Sequence, residues 1–227
     1  MRLAALATDY DGTLAENEVV HPQTVEAMRR FRRTGRRLIL VTGRTLAGLR
    51  QVFPDLNEFD RVVAENGATL YDPNASSEEL LAEPLPPSFV EALRERRTNH
   101  LEVGRVIVAT LESEKTKVLD TIQELGLELQ IIFNKGSLMI LPAGTNKATG
   151  LLAAAEALGL SMHNIAGIGD AENDHSFLAD CEFSAAVANA LPALKDRVDL
   201  VTKQSFGGGV VEFMEKIARD ELKGHSA

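Results

Sequence analysis

Short apolar runs recur along the first third of the chain, and each one ends in a polar turn. Leu3-Ala4-Ala5-Leu6-Ala7-Thr8 stops at Asp9-Tyr10-Asp11-Gly12-Thr13, Leu38-Ile39-Leu40-Val41 at Thr42-Gly43-Arg44, and Val62-Val63-Ala64 at Glu65-Asn66-Gly67. Runs this short and this apolar read as strands buried on both faces. Between them the period lengthens. Thr24, Val25, Ala27, Met28 and Phe31 follow His21-Pro22 and stop at Gly35, while Leu46, Leu49 and Phe53 repeat at helical spacing. Strand, polar turn and helix in alternation predict an α/β fold: a doubly wound, mostly parallel, Rossmann-like sheet.

From about Leu80 to Gly144 the rhythm changes. Pro84, Pro86 and Pro87 punctuate the chain as a linker does, and Phe89, Val90 and Leu93 then suggest a helix and Val106-Ile107-Val108-Ala109 a strand. Val118, Leu119, Ile122 and Leu125 follow at helical spacing. Leu129–Phe133 and Leu138–Leu141 flank Asn134-Lys135-Gly136, a hairpin signal. The first rhythm resumes with a helix from Lys147, a strand Ile165–Ile168 ending at Gly169-Asp170, strands at Phe183–Val187 and Val198–Val201, and a closing helix from Val210 to Leu222. The expected organisation is a discontinuous core, residues 1–79 and 145–227, with residues 80–144 inserted as a small α+β cap.

Composition narrows the chemistry. With 227 residues, 44% hydrophobic and 25% charged, the chain has the makeup of an ordinary globular protein. A net charge of -9 disfavours nucleic acid, since phosphate backbones are held mainly by Lys and Arg. The densest basic run, Arg29 to Arg37, reads as the wet face and C-terminal end of a helix. The single cysteine, Cys181, excludes an internal disulfide and a Cys-rich zinc site and fits a reducing compartment. The short N-terminal apolar run is neither a signal peptide nor a membrane span. Cytoplasmic residence, no membrane and a monomer or homodimer are expected.

Candidate chemistry lies at the polar turns. Asp9 and Asp11 are two apart, which on extended backbone sends both side chains to one side. In a parallel sheet the strand ends bring Asp9, Asp11, Thr42 and Asp170 to one crevice, and Lys147 reaches the same place. A hydroxyl, a lysine, at least three carboxylates and no histidine suit phosphoryl transfer on Mg²⁺. A phosphate dianion beside ionised Asp9 and Asp170 sums to roughly -4, against +1 from Lys147, so a divalent cation is needed. Oxygen ligands that leave room for water select Mg²⁺ over zinc.

Asp9-Tyr10-Asp11-Gly12-Thr13, Thr42-Gly43-Arg44, Lys147 and Gly169-Asp170-Ala171-Glu172-Asn173-Asp174 resemble, in order and spacing, the four motifs of the haloacid dehalogenase-like phosphohydrolases. The chain is most similar in look to the Cof-type and sucrose-phosphatase-like branch, which includes archaeal-type phosphoglycolate phosphatases and carries its cap between the second and third motifs. Asn66-Gly67 and Gly207-Gly208-Gly209-Val210 look like recurrent turns of that branch. The resemblance implies that Asp9 attacks phosphorus and that Asp11 protonates the leaving oxygen, then takes a proton from water. It further implies that Thr42 and Gly43 hold phosphoryl oxygens, that Lys147 offsets their charge, and that Asp9, Asp11, Asp170 and Asp174 form the Mg²⁺ site.

Each assignment has a plainer alternative. Thr42-Gly43 alone reads as a helix N-cap and Lys147 as a surface lysine; found together in register, they read as a site. Arg44 either contacts substrate or is a solvated helix arginine. Asn173 either caps a helix or touches phosphate, and Glu172 is a helix-start acid pointing away. His163 and His175 read as surface residues. A receiver-type signalling domain also joins acids, a hydroxyl and a lysine around Mg²⁺, but its acceptor acid ends the third strand, where this chain has Glu65-Asn66. A silent phosphate-binding scaffold is opposed by the intact Asp9 and Asp11. The cap contains no tryptophan or tyrosine to stack a base or sugar face. A small phosphorylated metabolite is therefore expected: phosphoglycolate or a similar acid first, a sugar phosphate second. Arg105, Lys115, Lys117 and Lys135 are the cap cations available for a carboxylate.

Overall fold

A computed structural model of the chain describes residues 3–134 and 136–222. In chain order the strands and helices are β1 (Ala5–Thr8), α1 (Pro22–Arg33), β2 (Arg37–Val41), α2 (Leu46–Val52), β3 (Arg61–Ala64), β4 (Thr69–Asp72) and β5 (Ser77–Leu80). Then come α3 (Pro87–Glu95), β6 (Glu102–Val103), β7 (Val108–Leu111), α4 (Lys115–Glu124), β8 (Leu129–Asn134) and β9 (Ser137–Pro142). The remainder is α5 (Lys147–Ala157), β10 (Ile165–Gly169), α6 (His175–Asp180), β11 (Phe183–Ala186), α7 (Pro192–Lys195), β12 (Leu200–Val201) and α8 (Phe206–Ala218).

Eight strands form one sheet in the order β12-β11-β10-β1-β2-β3-β4-β5, parallel from β12 to β3 and antiparallel beyond. Chain order runs one way from β1 to β3 and the other way from β10 to β12, so the direction reverses between β1 and β10. Right-handed crossovers in opposite directions put helices on both faces, with α1 packed on α8 and α5 on α6. Residues 5–8, 38–41 and 62–64 of the apolar runs are fully buried, and Phe31, Phe59 and Phe213 pack beside them. Truncating a phenylalanine as enclosed as Phe59 costs about 3–5 kcal/mol. A separate four-stranded antiparallel sheet, β6-β7-β9-β8, is backed by α3 and α4 through Phe89, Leu93 and Val118. Among the described residues no helix is long and apolar enough to cross a membrane.

Several local expectations shift. β4 and β5 extend the main sheet beyond the six strands expected in it. The second is a half-exposed edge, Ser77-Glu78-Glu79-Leu80, whose polar residues hide its strand character. The strand expected at Val106–Ala109 begins only at Val108, because residues 105–107 turn their amides toward Glu65. Gly207-Gly208-Gly209, read as a turn, forms the first turn of α8. A Cβ on Gly207 would lie 2.5 Å from the Thr24 hydroxyl, and one on Gly209 2.5 Å from that of Thr202. Close packing therefore overrides low helix propensity. Arg36 is not on a wet face. It is 5% exposed and donates to the carbonyls of Leu3 and Ile217, tying the start of β2 to the end of α8.

Candidate active site

Asp9 is the first residue past β1, and its amide still donates to the Ile168 carbonyl on β10. The chain then turns around the Tyr10 carbonyl, which accepts from Thr13, Leu14 and Ala15, with Gly12 at φ 85°. Across the sheet, β10 delivers Asp170 beside Asp9 at the point where strand order reverses, the usual place for a ligand crevice. Asp174 is wholly buried, and its Oδ2 accepts from the amides of Asp170 (2.8 Å) and Ala171 (3.0 Å). Its Oδ1 accepts from Lys147 Nζ at 2.6 Å, and the same ammonium donates to Asp9 Oδ1 at 2.6 Å.

Lys147 is far from a surface lysine. It opens α5 behind a capping box in which the Asn146 side chain accepts from the amides of Ala148 and Thr149, and its side chain is 1% exposed. Burial pulls the ammonium pKa down, but Asp174 and then Asp9 overcome this and hold it above the ordinary lysine value. Asp9 is pushed well above the carboxylate range, first by burial, then by the charges of Asp174 and Asp170, with Lys147 opposing. One ammonium among three buried acids leaves an excess of negative charge. Carboxylate oxygens of Asp9, Asp170 and Asp174 lie within 4.8 Å of one another, a donor set of hard oxygens that fits a divalent cation.

The other predicted residues take different places. Asp11 stands outside that trio with both oxygens occupied by Arg44, Nε to Oδ2 at 2.6 Å and Nη2 to Oδ1 at 2.7 Å. Arg44 also reaches Glu18 at 2.7 Å and lies over the Tyr10 ring, so it is neither solvated nor free. The hydrogen bonds it donates to Asp11, with Glu18 adding, raise its pKa against partial burial. Thr42 is buried and accepts from the Arg44 amide at 3.1 Å; the N-cap of α2 is Thr45. Asn173 donates to the Asn66 side chain at 3.3 Å and caps nothing, and Glu172 is exposed as expected.

A cavity of about 430 Å³ lies over these groups. Its floor is Asp9, Asp11, Gly43, Arg44, Asp170 and Asn173; its roof carries Ile107, Ala109 and Met139 with Asn134, Ser137 and Glu102. Arg105 pairs instead with Glu78, Lys117 with Glu114, and Lys115 lies over the Phe133 ring. None of those three cations lines the cavity; each finds a partner elsewhere, Arg105 on the edge strand β5. Lys135 lies outside the described residues. A larger hollow of about 700 Å³ between α1 and the start of α8 holds none of the predicted site residues.

The sequence profile of the haloacid dehalogenase-like hydrolases matches residues 6–121 and 94–214. The chain belongs to that family. This hydrolase is 30% identical over 217 residues to phosphoglycolate phosphatase 2 of Saccharolobus solfataricus, a match covering 93% of this chain and 91% of the relative. A phosphoglycolate phosphatase of Archaeoglobus fulgidus is 30% identical over 218 residues, covering 93% and 95%. In fold the hydrolase resembles a solved Thermoplasma acidophilum protein at TM-score 0.80 and 20% identity, covering 96% and 99% of the two chains. It also resembles the Synechocystis sucrose-phosphatase at TM-score 0.72 and 19% identity, covering 96% and 98%. Family and relatives together make it a phosphatase.

Sequence reasoning gave no role to three residues of this phosphatase that touch the site: Glu18, Glu65 and Asn66. Glu65 and Asn66 follow β3 as Asp9 follows β1 and Thr42 follows β2. That position was the available signal.

Proposed function

We propose that this phosphatase hydrolyses a small phosphomonoester in two steps through an aspartyl-phosphate on Asp9, with residues 80–144 acting as the cap. An Asp9 carboxylate oxygen bonds phosphorus as the ester P–O bond breaks, and Asp11 gives its proton to the departing oxygen. Asp11 then takes a proton from water, whose oxygen bonds phosphorus as the Asp9–phosphorus bond breaks. The observation that carries this reading is the Lys147 ammonium bridging Asp9 and Asp174 at 2.6 Å each, beneath a roofed crevice. Lys147 thereby fixes the nucleophile and offsets charge on the phosphoryl oxygens, while Thr42 and Gly43 hold them. Mg²⁺, held by Asp9 and Asp170, would supply the remaining positive charge. Asp174 spends Oδ2 on two amides and Oδ1 on Lys147, so it positions that group.

Because Arg44 occupies both Asp11 oxygens, it must release them before Asp11 can carry a proton to the leaving group. Arg44 is also the one cation among the described residues lining the cavity. A substrate carboxylate would bind it, which supports phosphoglycolate or a similar small phosphorylated acid, the substrate named for several relatives. Asn134 and Ser137 on the roof favour a small sugar phosphate as the second reading. The lone cysteine supports cytoplasmic residence.

The test is phosphate release from metal-stripped enzyme, with and without added Mg²⁺, across phosphorylated acids, sugar phosphates, nucleotides and para-nitrophenyl phosphate. Release that needs Mg²⁺ and is fastest on a small acid is expected. Full activity without metal, or none on any ester, would sink the reading.

A further inference from the structure

Glu65, the first residue past β3, has φ 49°, a left-handed conformation that a non-glycine residue adopts at a cost. It is 1% exposed, yet its carboxylate pairs with no lysine or arginine side chain among the described residues. It reaches out of the core instead. Oε1 accepts from the Arg105 amide at 2.8 Å, and Oε2 from the amides of Val106 (2.9 Å) and Ile107 (3.1 Å). These three amides form the tip of the β6–β7 hairpin, closed by Gly104 N to Ile107 O at 2.9 Å. Successive amides turned inward make a nest for an anion, and here the anion is a side chain from the other sheet. The fit is close: a Cβ on Gly104 would lie 2.5 Å from Glu65 Oε2.

Both flanks of the hairpin tip line the catalytic cavity, through Gly104 and Ile107. The other end of the Glu65-Asn66-Gly67 turn is pinned to the catalytic floor. The Glu65 and Asn66 amides donate to the carbonyls of Arg44 and Thr42, both at 2.9 Å. The Asn66 side chain accepts from Asn173, and a Cβ on Gly67 would lie 1.9 Å from the Asn146 carbonyl oxygen just before Lys147. One turn therefore joins the second, third and fourth motif regions to the roof.

We propose that Glu65 is a positioning residue that latches the β6–β7 hairpin over the phosphoryl site, so that the roof selects substrate only while this carboxylate sits in the amide nest. The proposal rests on the phosphatase reading. Glu65 touches no reacting atom in it. Hydrogen bonds to a carboxylate are strong enough that weakening them in Glu65→Gln, whose amide nitrogen cannot accept, should loosen the contact by about tenfold.

The experiment has two arms. Amide hydrogen exchange on the wild-type enzyme should show residues 105–107 protected, and Glu65→Gln should lose about tenfold of that protection while β1 and β10 keep theirs. In steady-state kinetics, Glu65→Gln should lower the preference for the best small ester over para-nitrophenyl phosphate by about tenfold, chiefly through KM. A wild-type tip that exchanges as freely as an exposed turn would overturn the latch, and this arm holds even if the variant fails to fold. A lower melting temperature with unchanged preference and KM would reduce Glu65 to a structural role and overturn it too. No phosphate release by the wild-type enzyme would instead count against the phosphatase reading, and exchange would still decide whether Glu65 holds the hairpin.

Discussion

The floor and the roof of the crevice are built on opposite plans. On the floor, charged side chains from four distant stretches meet within hydrogen-bonding distance, and Lys147, Asp170 and Asp174 are each no more than 2% exposed. On the roof, Arg105 and Lys117 pair away from the cavity, which Ile107, Ala109 and Met139 face together with Asn134, Ser137 and the acid Glu102. The difference follows from what each surface has to do. Stabilising charge that develops on a phosphoryl group needs fixed, poorly hydrated charges. Discriminating between leaving groups needs shape and a few placed contacts. Chemistry is therefore sensitive to single atoms on the floor, whereas selection on the roof depends on where a whole hairpin sits.

The comparison is broken most severely by Asp9→Asn, which should cut turnover on every ester by about four orders of magnitude or more, read as kcat. Near-normal turnover would mean that the nucleophile lies elsewhere. Lys147→Met leaves Asp9 and Asp174 buried without their cation and should cost about 3–5 kcal/mol in denaturant unfolding of the metal-free enzyme, with Mg²⁺ restoring part of it. A stability equal to wild type would show that the bridge is not needed. Asp11→Asn should be milder, about 10²- to 10³-fold on an alkyl phosphate and much less on para-nitrophenyl phosphate, whose leaving group needs little protonation. Equal losses on the two substrates would remove Asp11 as the acid.

The electrostatic excess of the floor also sets a pH dependence. The folded-state pKa of Asp9 is raised from 3.8 to about 8, so the folded protein binds a proton that the unfolded chain has released. Stability from this group is full below the lower value and is lost as pH rises toward the higher one. Metal-free wild type should therefore lose melting temperature between pH 5 and 8 relative to Asp9→Asn, and Mg²⁺ should flatten the difference. A rising curve would contradict the charge excess. The smallest effect is expected on the roof: Arg105→Ala, Lys115→Ala and Lys117→Ala should each leave kcat/KM within about twofold, as surface substitutions do. A tenfold loss in any of them would mean that the cation turns inward when substrate binds.

Much of this was legible in the chain. Buried strands announced themselves as apolar runs, and the polar turns after them marked the edge on which the cavity opens, because a parallel sheet has one such edge. Other features were hidden for identifiable reasons. The polar edge strand β5 is held by backbone pairing that composition does not encode. The glycines of α8 look like a turn until Thr24 and Thr202 are seen to leave no room for a side chain. Arg36 was misplaced with its neighbours because a basic run looks uniform in sequence, although only one of its members turns inward.

The order of motifs and the acids available were thus set by residue types and spacing, which act locally and leave a periodic trace. The partners of those residues were decided only by the tertiary structure. Asp11 faces Arg44, Asp174 holds the lysine and its own loop, Arg105 and Lys117 pair away from the cavity, and Glu65 reaches 40 residues along the chain to grip a hairpin. Such pairings depend on how two sheets are set against each other, and a contact between residues far apart in the chain leaves no periodicity to read.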